Sequence, residues 1–415
     1  MRHDSTLERA PDSGAAGWEP STVILISGLL ALAGIYLSCY VAYWYMLLAT
    51  HLLFPTRSSA AGARLKKFAI VIPAHNEELL LPRLLASVSD QDYPAERFEA
   101  IVIADNCTDG TADAARQLGA IVLERMDDAR RGKGYAIKWA LDCMDLDKYD
   151  AVLVVDADCF ISPNTLRSLD GAMQTERVIQ CYSGVGNPDE SWFTRLLDVS
   201  RTINNDVFSS AKQRLGLSTQ LIGTGMCFAS PVLRKFGWDA FTVGEDCEYY
   251  ATLVREGETV GFCWDAKVFH QESSSLKQAT TQRMRWSSGR FAVAWRYGFS
   301  LLRQGMLERN LVKFDAGLTL TLPNPSLGMN MALLCLAVAL ATQAGSGVAF
   351  AAWFFFLALA QLMIFVLGVF YTTNRVAKFL AIFIAPAFLV WKLGIDALSL
   401  LGIGGKRWIR TERRL

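Results

Sequence analysis

The chain has 415 residues, with 41 Lys and Arg against 40 Asp and Glu, so its formal net charge is +1. Hydrophobic residues make 52% of it, charged residues 20%, and the mean hydropathy is +0.23. That length allows one large domain or two ordinary ones, the hydropathy excludes a disordered chain, and the balanced charge argues against a nucleic-acid partner.

Charge is segregated along the chain. Residues 1–20 carry Asp4, Glu8, Asp12 and Glu19 and read as an extracytoplasmic tail. Thr22 to Phe54 holds no Asp, Glu, Lys or Arg. A crossing needs roughly 20 apolar residues, so 21–54 is expected to be a transmembrane helix. The run is too long for a signal-peptide core and follows an acidic segment, which favours a retained anchor. Arg57, Arg64, Lys66 and Lys67 come next and belong on the cytoplasmic side. Residues 65–290 have the charge density of a water-facing domain, and 291–314 reads as an interfacial helix. Ala316 to Asn374 is again free of charge, enough for helices over 315–343 and 348–372, with Gly345, Ser346 and Gly347 as the turn. Arg375 and Lys378 then return to the cytoplasmic side. Phe379 to Trp391 is short and broken by Pro386, so 375–415 is expected to be an interfacial or re-entrant segment with a basic tail. The whole reads as a multi-pass protein of the inner (plasma) membrane. Nine scattered cysteines without a Cys-x-x-Cys pair suit reduced thiols and give no zinc site.

The central region alternates strands and helices. Phe68 to Pro73, Ala100 to Ala104, Ala120 to Leu123 and Ala151 to Val155 are short apolar runs of the buried parallel type. Helices are expected from Asn76, with that residue as cap, from Asp109, and over Gly134 to Met144. This is the pattern of a doubly wound α/β domain, in which ligands sit beyond the carboxyl ends of the strands. The second half is less regular: Ser191 to Leu215 looks helical, a helix starts at Glu245 and runs to Glu256, and Thr259 to Phe262 suggests a strand. No Gly-x-Gly-x-x-Gly or P-loop follows any strand, which removes the main support for a dinucleotide or P-loop fold.

Polar clusters fall at the strand ends. Asp156 and Asp158 flank one residue, and two carboxylates pointing the same way suit Mg²⁺ or Mn²⁺ bridging a diphosphate, or simply a solvated loop pair. Lys133 between two glycines before a helix could meet a phosphate or the solvent. Asp105 could accept from a nucleobase or cap a helix. Glu245 and Asp246 could be a general base, or acids favoured by a helix dipole. Gln282, Arg285 and Trp286 share a helix face; Trp offers a sugar-stacking surface and Arg a phosphate fork, while a membrane-surface helix would carry the same residue types.

Together, in order, Pro73-Ala-His-Asn-Glu77, Asp105, Asp156-x-Asp158, Glu245-Asp246 and Gln282-Arg-Met-Arg-Trp286 resemble the membrane-embedded branch of glycosyltransferase family 2, from about Lys67 to Arg290. The resemblance implies a Rossmann-like GT-A domain of α/β class, inserted between helical membrane segments. It implies inverting transfer from a nucleoside-diphosphate sugar, UDP being the expected nucleotide. By that resemblance Pro73, Asn76, Glu77, Asp105, Lys133, Asp156 and Asp158 hold the donor, with Asp156 and Asp158 on the metal. Asp246, with Glu245 beside it, is the base. Gln282, Arg285 and Trp286 line the acceptor and diphosphate side.

The expected acceptor is a growing exopolysaccharide at the cytoplasmic membrane face. The alternative is a membrane lipid of ceramide, hopanoid or polyprenyl type, taking a single sugar. A nucleotide-sugar sensor without activity is a third reading, and the complete set of acids speaks against it. Gly223-Thr-Gly-Met-Cys227 departs from the Phe-Phe-Cys-Gly-Ser of cellulose synthases, which makes cellulose a poor fit. Three crossings leave little room for a secretion channel in one chain, so a long polymer would call for an export partner or a homo-oligomer.

Overall fold

Odd and even residues of the first strand go to opposite faces, and that alternation builds two cores. In the computed structural model, which describes residues 19–54, 65–342 and 347–403, strand β1 spans Phe68–Ala74. Phe68, Ile70 and Ile72 enter one apolar cluster, and Ala69 and Val71 the other. Being buried on both faces is what the uninterrupted apolar run requires. The remaining strands are β2 (Phe98–Asp105), β3 (Ile121–Arg125), β4 (Ala151–Val154), β5 (Cys159–Ile161), β6 (Val178–Val185), β7 (Met226–Ala229) and β8 (Val260–His270). They form one sheet in the order β3-β2-β1-β4-β7-β6-β8-β5.

The first four strands are parallel, as the alternation of strand and helix implies. The other half is mixed. β7 runs antiparallel to both β4 and β6, and β5 antiparallel to β8. Strands β5 to β7 have no counterpart in the sequence reading, because each is short or lies among polar turns. Chain order reverses between β1 and β4, so a crevice opens at their carboxyl ends.

Helices α1 (Pro20–Leu53), α2 (Leu81–Ser89), α3 (Thr111–Gln117), α4 (Lys133–Cys143) and α5 (Thr165–Ala172) come first. α6 (Trp192–Thr202), a π-helical stretch at Ile203–Ser209 and α7 (Ser210–Arg214) make the continuous helix expected over 191–215. α8 (Ser230–Phe236), α9 (Glu245–Arg255), α10 (Leu276–Val293), α11 (Phe299–Leu307) and α12 (Leu311–Thr321) follow. Asn76 does not cap a helix. It has φ +57°, its side chain accepts from the Thr108 amide at 2.7 Å, and α2 begins five residues later at Leu81.

The membrane-type helices are α1, α13 (Pro325–Thr342) and α14 (Gly347–Val369), each long and apolar enough to cross a bilayer. Leu29, Leu32 and Ile35 of α1 are exposed, the arrangement of a helix that faces hydrocarbon. The span expected over 315–343 begins ten residues later. Leu322-Pro323-Asn324 breaks the chain between α12 and α13, and two prolines without amide hydrogens prevent a continuous helix. Asn324 instead accepts from the Leu327 amide at 2.9 Å and starts α13. The stretch read as an interfacial helix over 291–314 is divided too: it takes the end of α10, a π-helical turn, α11 and the start of α12. Residues 375–400 form α15 (Arg375–Ile382) and α16 (Ala385–Leu400), bent by 61°. The N-terminal tail, Arg57, Arg64, the Gly345-Ser346 turn and the basic tail from residue 404 lie outside the described residues.

Two polar contacts tie the domain to these helices. Lys212 of α7 is fully buried and donates to Asp315 Oδ2 of α12 at 2.7 Å and Thr319 Oγ1 at 2.5 Å. Tyr43 of α1 donates to the other Asp315 oxygen at 2.7 Å. On α16, Lys392 pairs with Asp396, and both meet Ser287 of α10. Removing one member of a buried pair leaves a charge without compensation. Asp315→Asn is therefore expected to cost about 3–5 kcal/mol in thermal unfolding of the detergent-solubilised protein, and Lys212→Met with Asp315→Leu together to recover most of it. An unchanged Tm for Asp315→Asn would contradict the clamp.

Candidate active site

A cavity of about 920 Å³ opens at the carboxyl ends of β1, β2 and β4. Of the twelve residues expected in the site, eleven line it: Pro73, Glu77, Asp105, Lys133, Asp156, Asp158, Glu245, Asp246, Gln282, Arg285 and Trp286. Asn76 does not; it is turned toward Thr108 at the rim.

Lys133, the first residue of α4, joins the acidic groups. Its Nζ lies 2.5 Å from Asp156 Oδ1 and 3.7 Å from Glu245 Oε1, and it donates to the Gly223 carbonyl at 2.6 Å. Burial works against its charge, but Asp156, Glu245 and Asp246 outweigh that and hold it well above the ordinary lysine value. Gly223 has φ +88°, and a Cβ there would stand 3.3 Å from Asp246 Oδ2. The loop can therefore lie over Asp246 only with glycine at that position.

Glu245 and Asp246 open α9. Burial pushes Glu245 up to about 7, with Lys133 opposing and Asp246 adding to the rise. Asp246 is also raised, by burial first, while the Cys247 amide at 2.7 Å and Lys133 favour its charged form. The two are negative neighbours in a buried space, so one proton is held more tightly than either would hold it in water.

Asp105 ends β2, buried. Arg125, the last residue of β3, donates to its Oδ1 at 2.6 Å, and Asn106 at 3.0 Å. Burial raises its pKa while Arg125 opposes the rise. His75 Nδ1 contacts the Asp105 carbonyl at 2.7 Å. The arrangement presents a carboxylate, fixed from behind, to whatever sits beyond β2.

α10 forms the opposite wall. A Cβ on Gly289 would come within 2.8 Å of the Gly244 amide nitrogen, so α10 lies directly against the start of α9. Gln282 is buried, and Trp286 is 39% exposed on the cavity side. Burial lowers the Arg285 pKa while Glu245 opposes the fall, so the guanidinium feels the acidic pair across the cavity. Behind this face stands Glu272, which follows β8. It accepts from Arg283 at 2.7 Å, meets His270 Nε2 at 2.8 Å and lies 3.6 Å from Arg201 of α6. Burial alone would raise Glu272, but Arg283, His270 and Arg201 hold it well below the usual carboxylate range.

Arg125, Arg201, His270 and Glu272 are titratable neighbours of these residues for which the sequence alone gives no role. Arg125 had a signal, as the charged residue at the carboxyl end of the third strand. Arg201 and Glu272 had none, since nothing local says that a charge in an amphipathic helix meets another after a distant strand.

Asp156 and Asp158 supply hard oxygen donors at a strand end, the type that suits Mg²⁺ or Mn²⁺. Among the described residues no group of three or more His, Cys, Asp or Glu surrounds a cation position. Mg²⁺ at nucleotide sites takes one or two carboxylates, which Asp156 and Asp158 could supply, and completes its shell with phosphate and water.

Comparison with known proteins agrees with this architecture. The chain is 24% identical over 261 residues to the probable glycosyltransferase YdaM of Bacillus subtilis, covering 60% of this chain and 61% of that one. It is 25% identical over 254 residues to the beta-monoglucosyldiacylglycerol synthase of Nostoc sp., covering 57% and 52%. The chain thus spans about half to three-fifths of the length of these relatives. The fold matches that of the mannosyltransferase PcManGT from Pyrobaculum calidifontis in complex with GDP-Man and Mn²⁺, with a TM-score of 0.56 at 18% identity, over 91% of this chain and 98% of that one. Residues 66–289, more than half of the chain, match the family described as Glycosyltransferase like family 2. The chain belongs to that family: its mixed sheet is a GT-A-like domain flanked by apolar helices.

Proposed function

We propose that the protein transfers a single sugar from a nucleoside-diphosphate sugar, UDP being the favoured nucleotide, to a lipid at the cytoplasmic face of the membrane. One observation carries this reading. The cavity that holds Asp105, Lys133 and Asp156 is also lined by Tyr40 and Trp44 of α1, Phe365 of α14 and Phe388 of α16. Asp246 and Trp286 line the same space. A polar donor pocket that continues into an apolar one between membrane-type helices suits an amphipathic acceptor. The likeness to a glucolipid synthase supports the same acceptor class. Exopolysaccharide synthesis is the second reading, supported by Gln282-Arg-Met-Arg-Trp286, which both kinds of enzyme can carry.

In this reading Asp105, fixed by Arg125, accepts from the nucleobase, and Pro73 and Glu77 close the same end. Asn76 acts on the donor only through the loop it fixes with Thr108. Asp156 and Asp158 would hold Mg²⁺ or Mn²⁺, whose charge offsets that of the leaving diphosphate. Lys133 and Arg285 add positive charge on the same side, and Gln282 and Trp286 orient the sugar. Asp246 takes the proton from the acceptor hydroxyl as its oxygen attacks the anomeric carbon. The bond to the diphosphate breaks on the opposite face, and the configuration inverts. Raised basicity suits Asp246 to this task, because a base near the working pH transfers protons best. Glu245, beside it, keeps the local charge negative and pairs with Lys133.

Four outcomes test the reading. Purified protein with Mn²⁺, labelled UDP- and GDP-sugars and total bacterial lipid should move label into the organic phase as one discrete product. Label retained in an alkali-stable polymer would shift the assignment to polysaccharide synthesis. Asp246→Asn should lower transfer by about 10²–10⁴-fold while donor binding is kept; full activity would remove its role as base. Activity should also fall on the acid side at a pH above the ordinary carboxylate range, since burial raises Asp246 and its protonation removes the base. An acid limb near the ordinary carboxylate value of about 4 would mean that Asp246 titrates as exposed groups do. Chelation with EDTA should abolish transfer and added Mn²⁺ restore it, with Asp158→Asn requiring more metal.

A further inference from the structure

The charges of the cavity are divided by element. Its acidic lining residues all come from the strand ends and the start of α9. The charged lining residues of α6, α10 and α16 are all cations: Arg201, then Arg283, Arg285 and Arg290, then Lys392. Two carboxylates stand behind these five, Glu272 between Arg201 and Arg283, and Asp396 beside Lys392. Both are almost completely buried and neither lines the cavity. On these three helices the cations outnumber the carboxylates behind them by three, while six carboxylates, with Arg131 and Lys133, line the rest of the cavity. Under the proposed function the donor diphosphate engages Arg285, and Arg201 and Arg283 are left for a second anion.

Arg201 and Arg283 are placed to receive it. They share the single carboxylate of Glu272 and flank the Trp286 ring, with guanidinium carbons 5.9 and 4.4 Å from its centre. Arg283 Nε is buried without a partner. A guanidinium has five donors in a fixed fork, so one shared carboxylate leaves donors of both residues unused. Paired forks match phosphate oxygens, and a phosphate monoester carries up to two charges. Arg290, by contrast, already donates to the carbonyls of Thr319 and Leu322.

We infer that Arg201 and Arg283, backed by Glu272, form an anion subsite that holds a phosphate on the lipid acceptor, distinct from the donor diphosphate site. The inference rests on the lipid-acceptor reading and narrows it to phosphate-bearing lipids. Two sources share this chemistry: a polyprenyl monophosphate, whose own phosphate oxygen is then the nucleophile and gives Asp246 a proton only while the phosphate is a monoanion, and the headgroup phosphate of a phospholipid, whose separate hydroxyl is the one that Asp246 deprotonates.

Isothermal titration of the full chain in detergent, with saturating UDP and separately GDP, tests it. Farnesyl phosphate is expected to bind at least about tenfold tighter than farnesol, the scale of a charge-assisted contact. Arg201→Gln should erase that preference and leave farnesol binding as it was. Arg283→Lys, which keeps the charge and loses the fork, should show a smaller loss and serves if Arg201→Gln does not fold. Dioctanoyl phosphatidylglycerol binding as well as farnesyl phosphate would identify the phospholipid source; preference for farnesyl phosphate would identify the prenyl one. Equal affinity for farnesol and farnesyl phosphate would overturn the phosphate subsite and leave the lipid acceptor standing. Displacement of farnesyl phosphate by nucleotide, or equal affinity for inorganic phosphate, would overturn it as well. No binding of any of these lipids would remove both the subsite and the lipid-acceptor reading.

Discussion

The Lys133 ammonium holds together a site that would otherwise repel itself. Asp156, Glu245 and Asp246 come from two separate parts of the chain and meet in a buried space. Negative charges gathered this closely are stable only with a cation among them or with protons retained. Both occur here: Lys133 stands 2.5 Å from Asp156, and Glu245 is pushed up to about 7. The Gly223 carbonyl takes a further hydrogen bond from Lys133, so the loop over Asp246 is fastened by the same group. Under the proposed function, this gathering of acids is what a donor arriving with a metal ion would relieve.

The helices around the domain extend this division of charge. α10 is pressed on α9 by the Gly244–Gly289 contact, which sets Arg285 and Trp286 opposite the acids. Behind it, Glu272 fixes Arg283 and Arg201, and α16 contributes Lys392. One wall of the cavity is therefore anionic and the other cationic. The proposed transfer would use this arrangement, with the base on one side and charge acceptors for the leaving diphosphate on the other.

The membrane-type helices do more than anchor the domain. Tyr43 of α1 joins the Lys212–Asp315 pair, and Val199, Ile203 and Phe208 of the domain pack into the same apolar cluster as Leu37, Trp44 and Leu47. The cavity wall is thereby built partly from α1, α14 and α16. Separating the domain from these helices would open one end of the proposed acceptor site, so donor and acceptor chemistry depend on one packed unit.

What the sequence determined by itself was whatever has a short-range signature. Charge-free runs marked α1, α13 and α14, because hydrocarbon excludes charge over a fixed length. Apolar runs and turn residues marked β1 to β4, and of the twelve residues named from the ordered motifs eleven line the cavity. Tertiary structure alone decided the rest. Asn76 is held in a left-handed loop by Thr108 instead of capping a helix, since a hydrogen bond to a residue 32 positions away outweighs local preference. Asp315 reads as the edge of a membrane span, yet it pairs with Lys212, 103 residues distant. Arg201 and Glu272 meet for the same reason. Periodicity and hydropathy report on neighbours within a few turns, whereas ion pairs and cavities are set by which elements pack together.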